Sequence, residues 1–167
     1  MKRISFQGER GAYSEAAATT FFADKIETIP CATFAEVLKN TENGASDYSV
    51  LPVENSLEGS VGESIDLLLS TKLNVIGEIY HRIHHCLIGT GLIGDIREVF
   101  SHPQALGQCR QFIQENSLKT IPSYDTAGSV KIIKELDKNS VACIASKNAA
   151  EIFDVPVIQE GVEDNAN

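Results

Sequence analysis

A chain of 167 residues, 43% hydrophobic and 22% charged, is long enough to bury a core as one domain or as two small lobes. Its formal net charge of −9 argues against a nucleic-acid partner, which needs clustered Lys and Arg, and no run of about 18 apolar residues offers a membrane span. The start, Met1-Lys2-Arg3-Ile4-Ser5-Phe6, carries no signal-peptide pattern, and the scattered Cys31, Cys86, Cys109 and Cys143 read as buried thiols in a reducing cytosol. An anionic ligand would have to be drawn in locally, by helix N-termini and a few aimed donors.

The chain alternates between strand and helix periods. Ile4-Ser5-Phe6 is a predicted strand, followed by a turn with Gly8 and Gly11 and a helix over Tyr13–Phe22. A second strand spans 26–30, and Thr33-Phe34-Ala35-Glu36 is a capping box whose helix buries Phe34, Val37 and Leu38. The run 48–53 reads as a buried strand that delivers Glu54 and Asn55 at its end. Ser60-Val61-Gly62-Glu63 is a second capping box, opening a helix with Val61, Ile65, Leu68 and Leu69 on one side. Residues 73–88 are too long for one ordinary strand and read as two, with the chain crossing between lobes near Gly77.

The second half repeats the pattern: strand 98–100, helix 103–115, strand 118–121, helix 126–136, strand 141–145, a short helix to Phe153 and a last strand 155–159. Strands alternating with helices of this length predict an α/β fold with largely parallel sheets. Ligands of such sheets bind at the carboxyl ends of strands, which singles out residues 8–14, 54–62, 101–104 and 124–129.

Two tempting motifs fail on context. Gly89-Thr90-Gly91-Leu92-Ile93-Gly94 spells G-x-G-x-x-G but leads into a strand, so it reads as a loop with several positive-φ positions. His81 and His85 share a strand face yet lie about 13 Å apart at about 3.3 Å per residue. His84 and Cys86 lack a completing carboxylate, so no metal site is expected.

Other segments keep two readings open. In Ser101-His102-Pro103-Gln104, Ser101 and Gln104 form an S-x-x-Q capping box, and the same helix start presents backbone N–H groups beside His102 and Gln104. Glu54 and Asn55 at a strand end need polar partners; a ligand would serve, and so would an Asx-turn. The Asn55 and Gln104 amides cannot ionise near neutral pH and would orient substrate oxygens. In 124–129, Asp125 is a cap, with the Thr126 and Ser129 hydroxyls exposed beside Gly128.

Taken in order, these segments resemble the catalytic domain of prephenate dehydratase. Residues 8–14, Gly-Glu-Arg-Gly-Ala-Tyr-Ser, are similar to its G-P-x-G-T-Y-S loop and depart at Glu9 and Ala12. Residues 53–61 match V-E-N-S-x-E-G-S-V, residues 101–106 match S-H-P-Q-A-L, and Thr126-Ala127 and Ala145-Ser146 with Ala149-Ala150 match later signatures.

The resemblance implies a two-lobed fold like type II periplasmic binding proteins, with a ligand cleft between lobes. Residues 1–77 with 158–167 would form the first lobe and 78–157 the second. It implies prephenate as substrate, no metal or redox cofactor, self-association as a dimer, and catalysis by Asn55 and Gln104. Apart from the resemblance, the composition reads as cytoplasmic, and Glu54, if buried with a raised pKa, is a candidate acid. His102 is a second candidate acid. Tyr13, Ser14, Ser56, Ser101, His102, Thr126 and Ala127 would bind substrate. Arogenate dehydratase and an anion-binding module on the same fold are the alternatives. The family's principal catalytic threonine stands in a T-R-F motif after the last strand, whereas no Thr follows Thr126 in these 167 residues. A truncated, weakly active polypeptide without the regulatory ACT domain is therefore expected.

Overall fold

The computed structural model describes residues 1–23, 25–56 and 59–164. It divides into two compact units: Met1–Glu9 with Tyr13–His81, and Arg10–Ala12 with Arg82–Asn167. The division falls after His81 rather than at residue 77. The last strand pairs inside the second unit, which corrects the expectation that residues 158–167 return to the first.

In the first unit, strand β1 (Lys2–Gln7) lies between β2 (Ile26–Cys31) and β3 (Tyr48–Val50), parallel to both. Ile4, Ser5 and Phe6 are all fully buried, so both faces of β1 are covered, as parallel strands require. Helices α1 (Tyr13–Phe22) and α2 (Phe34–Glu42) pack on this sheet. The α2 cap forms as expected: Thr33 Oγ1 accepts from the Glu36 N–H at 3.2 Å, and Glu36 accepts from the Ala32 N–H at 2.9 Å. Burying Ser5 costs little because its hydroxyl donates to Val37 O at 2.9 Å and lies 3.0 Å from Ser46 Oγ.

Beyond Val50 the expectations fail. The strand stops there, and Val53 is 43% exposed, because residues 51–53 have no neighbouring strand. Glu54–Asn55 (β4) instead pairs with Gly59–Ser60 (β5) as a short antiparallel hairpin. Ser60 pairs with Glu54, and Val61 rather than Ser60 occupies the cap position of the next helix. Helix α3 (Gly62–Ser70) starts after Val61 with no side-chain cap, and the residue it buries is Ser64, while Leu69 is 81% exposed.

The second unit holds a sheet in the order β10-β6-β9-β7-β8. Its strands are β6 (Cys86–Ile88), β7 (Glu98–Ser101), β8 (Lys119–Pro122), β9 (Val141–Ala145) and β10 (Val157–Glu160). Strand β6 runs antiparallel to both neighbours, while β7 is parallel to β8 and β9. Every residue of β9 is buried, as its continuous apolar run requires at the sheet centre. Of residues 73–88, only Cys86–Ile88 pairs, so the two expected strand segments reduce to one.

The expected helix 103–115 breaks into α4 (Pro103–Gln108) and α5 (Arg110–Glu115) at Cys109, whose φ/ψ of −121/27 leaves the helical region. Gly107 just before the break weakens helix propensity there. Helices α6 (Gly128–Leu136) and α7 (Lys147–Phe153) follow β8 and β9. In the G-x-G-x-x-G loop, none of the glycines has positive φ, contrary to expectation. A Cβ on Gly91 would lie 2.0 Å from Asn139 O, so close backbone approach explains the residue there.

Candidate active site

In the first unit the hairpin presents Asn55 half-buried, with Glu54 and Ser56 exposed. Glu54 and Asn55 register with Ser60 and Gly59, and the Val61 N–H donates to Val53 O at 2.9 Å to close the ladder. Exposure removes the burial on which a proton-holding role for Glu54 depended. Leu57 and Glu58 of the motif lie outside the described residues. Tyr13 and Ser14 open α1 and are half-buried, and the Tyr13 ring is 6.4 Å from the His81 ring. Next to them Glu15 is buried and accepts a 2.6 Å hydrogen bond from Thr28.

In the second unit the site residues gather by topology. Strands β9, β7 and β8 are parallel neighbours, so their carboxyl ends share one edge, and α4, α6 and α7 begin there. After β7, the cap of α4 is His102 and not Ser101: the imidazole Nδ1 accepts from the Gln104 N–H at 3.3 Å. The fully buried Ser101 hydroxyl is spent inside the sheet, donating to Ile144 O at 2.7 Å. Gln104 keeps its side-chain amide half-buried at the helix start.

After β8, the helix begins at Gly128 rather than at Thr126 and its cap position is Ala127, with no side-chain cap there; the Asp125 carboxylate, one turn earlier, accepts from the Gly128 N–H at 2.5 Å. Ser129 is fully buried, donating to Asp125 O at 2.8 Å and lying 2.6 Å from Ser123 Oγ, so only half-buried Thr126 of the two hydroxyls reaches the surface. Ala127 belongs to the core cluster with Val130, Cys143 and Ala149, which leaves its backbone for any ligand contact.

After β9 comes a tie that the sequence reading missed. Ser146 caps α7, accepting from the Ala149 N–H at 3.0 Å, and its hydroxyl donates to Gly11 O at 2.7 Å. Gly11 has φ +91, and a Cβ there would meet the Ala149 Cα at 2.6 Å. The Arg10–Ala12 loop is thus seated on the start of α7, at the edge that carries His102 and Gln104. The S-x-x-A spacing after an apolar strand and the lone Gly11 were the available signals.

A second polar cluster lies around β6. Glu163 holds His84 Nδ1 at 3.0 Å and accepts from the His85 N–H at 2.9 Å, while His85 Nε2 lies 2.8 Å from Gln108 Oε1. Burial pushes the His85 imidazole below the usual histidine range, against the opposing pull of Gln108 and Glu163. All four thiols are free and buried, and burial raises each; at Cys109 the nearby Asp164 and Glu163 carboxylates add to the rise. Among the described residues, no group of three or more His, Cys, Asp and Glu could hold a metal ion, and no helix is long and apolar enough to cross a membrane.

Comparisons with known proteins cover nearly the whole chain. The chloroplastic arogenate dehydratase/prephenate dehydratase 1 of Arabidopsis thaliana is 39% identical over 167 residues, which cover 99% of this chain and 42% of that protein. The chain thus spans less than half the length of the curated relatives it matches. Prephenate dehydratase from Arthrobacter aurescens, solved with L-Phe, superposes with a TM-score of 0.88 at 27% identity, covering 98% of this chain and 56% of that one. GqqA, described as a novel type of quorum quenching acylase, superposes with a TM-score of 0.90 at 34% identity, covering 98% and 60%. The family profile "Prephenate dehydratase" matches residues 4–167, the stretch that carries both the Asn55 hairpin and the three-helix edge; the chain belongs to the prephenate dehydratase family.

Proposed function

We propose that this chain supplies the catalytic region of a prephenate dehydratase, which converts prephenate to phenylpyruvate, CO2 and water on the way to phenylalanine. The carrying observation is the family match over residues 4–167. Asn55 and His102–Gln104 stand in built local structure within it. In the reaction the ring carboxylate leaves as CO2, its bonding pair moves into the ring, and the ring hydroxyl departs with a proton as water. Aromatisation drives the step, so the protein's task is to hold the anion and assist the departing hydroxyl.

Asn55 and Gln104 are the proposed orienting groups, since amides donate and accept without ionising. Thr126, the backbone at Ala127, Tyr13, Ser14 and Ser56 are the proposed substrate contacts; Ser101 contributes by holding β7 against β9. Glu54, exposed beside Asn55, is left out of the acid role. The four free buried thiols support a reducing compartment, with the cytoplasm as the proposed location, and self-association is proposed as a homodimer.

The test incubates the complete gene product with prephenate and with arogenate and quantifies phenylpyruvate and phenylalanine. Phenylpyruvate from prephenate is the expected result. Phenylalanine from arogenate alone would reassign the substrate, and neither product would overturn the reading.

A further inference from the structure

The residues after β10 fold back as a strap within the second unit. The Gly161 and Val162 N–H groups donate to His85 O at 3.0 and 3.1 Å, Val162 is buried, and Glu163 accepts from the His85 N–H at 2.9 Å. The Asp164 N–H then donates to Gln108 O at 2.8 Å, and the Asp164 carboxylate accepts from the Gln111 N–H at 2.9 Å. Gln108 is the last residue of α4, just before the break at Cys109. Its side chain is claimed as well: Oε1 lies 2.8 Å from Nε2 of His85, a residue only 3% exposed. An amide oxygen only accepts, so His85 Nε2–H donates.

We propose that His85 is a positioning residue that sets Gln104 through Gln108. The proposal rests on the proposed function, in which Gln104 orients the substrate, and extends it to a residue on another element. Gln104 and Gln108 stand four residues apart, one above the other on one face of α4. A helix of six residues is too short to hold its own geometry, so its direction follows from whatever fixes its two ends. His102 bonds the first turn; His85 and the strap fix the last residue. A shift at Gln108 tilts the short helix and carries Gln104 with it, and a displacement of about 1 Å at an orienting group is worth about 100-fold in rate. The plain rival is a histidine that only satisfies a buried amide, which would change Tm and leave kcat alone.

Protonation would undo the arrangement. Burial pushes the His85 ring below the usual histidine range, His84 adds to the drop, and Gln108 and Glu163 pull the other way. Asp164, Glu160, Cys86 and Cys109 are the further titratable groups on the elements around it. A charged ring would leave the core for water and take the Gln108 bond with it.

The test measures prephenate kinetics in the complete gene product. His85→Asn keeps the backbone bonds of the strap but is too short to reach Gln108, whereas His85→Gln carries an amide N–H in the place of Nε2–H. His85→Asn should lower kcat about 10- to 100-fold with KM within about threefold. His85→Gln should keep kcat within about threefold and lack the acid limb that wild type shows below about pH 6.5. Gln108→Ala, at a half-buried position, should reproduce the His85→Asn loss, and the double variant should be no slower than either single. Should His85→Asn fail to fold, Gln108→Ala decides alone. Unchanged kcat in an active protein lacking the bond overturns the positioning role, as do losses that multiply in the double variant or a His85→Gln as slow as His85→Asn. A wild type that turns over no prephenate sinks the functional reading and this inference together, so wild-type activity tells the two failures apart.

Discussion

The two amides assigned to substrate are delivered by very different stretches of chain. Asn55 stands on a hairpin with only two residues in each strand, flanked by exposed Glu54 and Ser56. Gln104 stands at the carboxyl ends of the parallel strands β9, β7 and β8, where each following helix has a named side chain bonded to its first turn: His102, Asp125 or Ser146. The first arrangement relies on a few ladder bonds, while the second is held by core packing and several satisfied polar groups.

The largest expected effect breaks the chemistry and leaves both scaffolds alone. Asn55→Ala and Gln104→Ala should each lower kcat/KM for prephenate about 100- to 1,000-fold while both variants still unfold cooperatively, because neither residue belongs to the buried core.

Next in size is the contrast between two glycines of positive φ. Gly11→Ala should cost about 2–4 kcal/mol in urea unfolding, since it adds a clash with the Ala149 backbone to the strain of φ +91. Gly59→Ala in the hairpin, φ +80 with nothing within 4 Å, should cost only about 1–2 kcal/mol. Equal losses would erase the distinction between a close approach and a turn. Ser146→Ala should cost about 1–3 kcal/mol, because it removes a helix cap and the hydrogen bond that the Ser146 hydroxyl donates to Gly11 O.

Smallest is a pH effect confined to the second unit. The folded-state pKa of His85 lies below its unfolded value, so the unfolded chain takes up the proton first. Stability is then whole above about pH 6.5 and falls as the pH drops below it. Glu163 acts lower. Burial raises its carboxyl, but hydrogen bonds from its own and the His85 backbone and from His84 outweigh that and hold it below the usual range. Its contribution is present above about pH 4.3 and is lost as the pH falls through the folded value. Melting curves should show Tm falling by about 2–5 °C between pH 7 and pH 5, and His85→Gln should flatten that window.

Much of this was legible in the residues. Alternation and apolar runs place β1, β2, β7 and β9, and the Thr33 box marks α2, because local pattern and tertiary packing agree there. The failures share a cause. Ser60 and Ser101 both stand where a capping residue belongs, yet one is claimed by a hairpin ladder and the other by the Ile144 carbonyl, bonds that need partners distant in sequence. The break at Cys109 and the tie from Ser146 to Gly11, 135 residues apart, are likewise tertiary facts. The motifs single out Asn55 and Gln104 as candidates, whereas the exposure of Glu54 and the capping role of His102 required coordinates.

The most direct measurement titrates prephenate calorimetrically into the 167-residue chain and its Asn55→Ala and Gln104→Ala variants. Saturable one-site binding by the wild type, weakened at least about tenfold by each substitution while both variants still unfold cooperatively, is the predicted result. No binding by wild type, or binding indifferent to both amides, would contradict the assignment of these residues to the substrate.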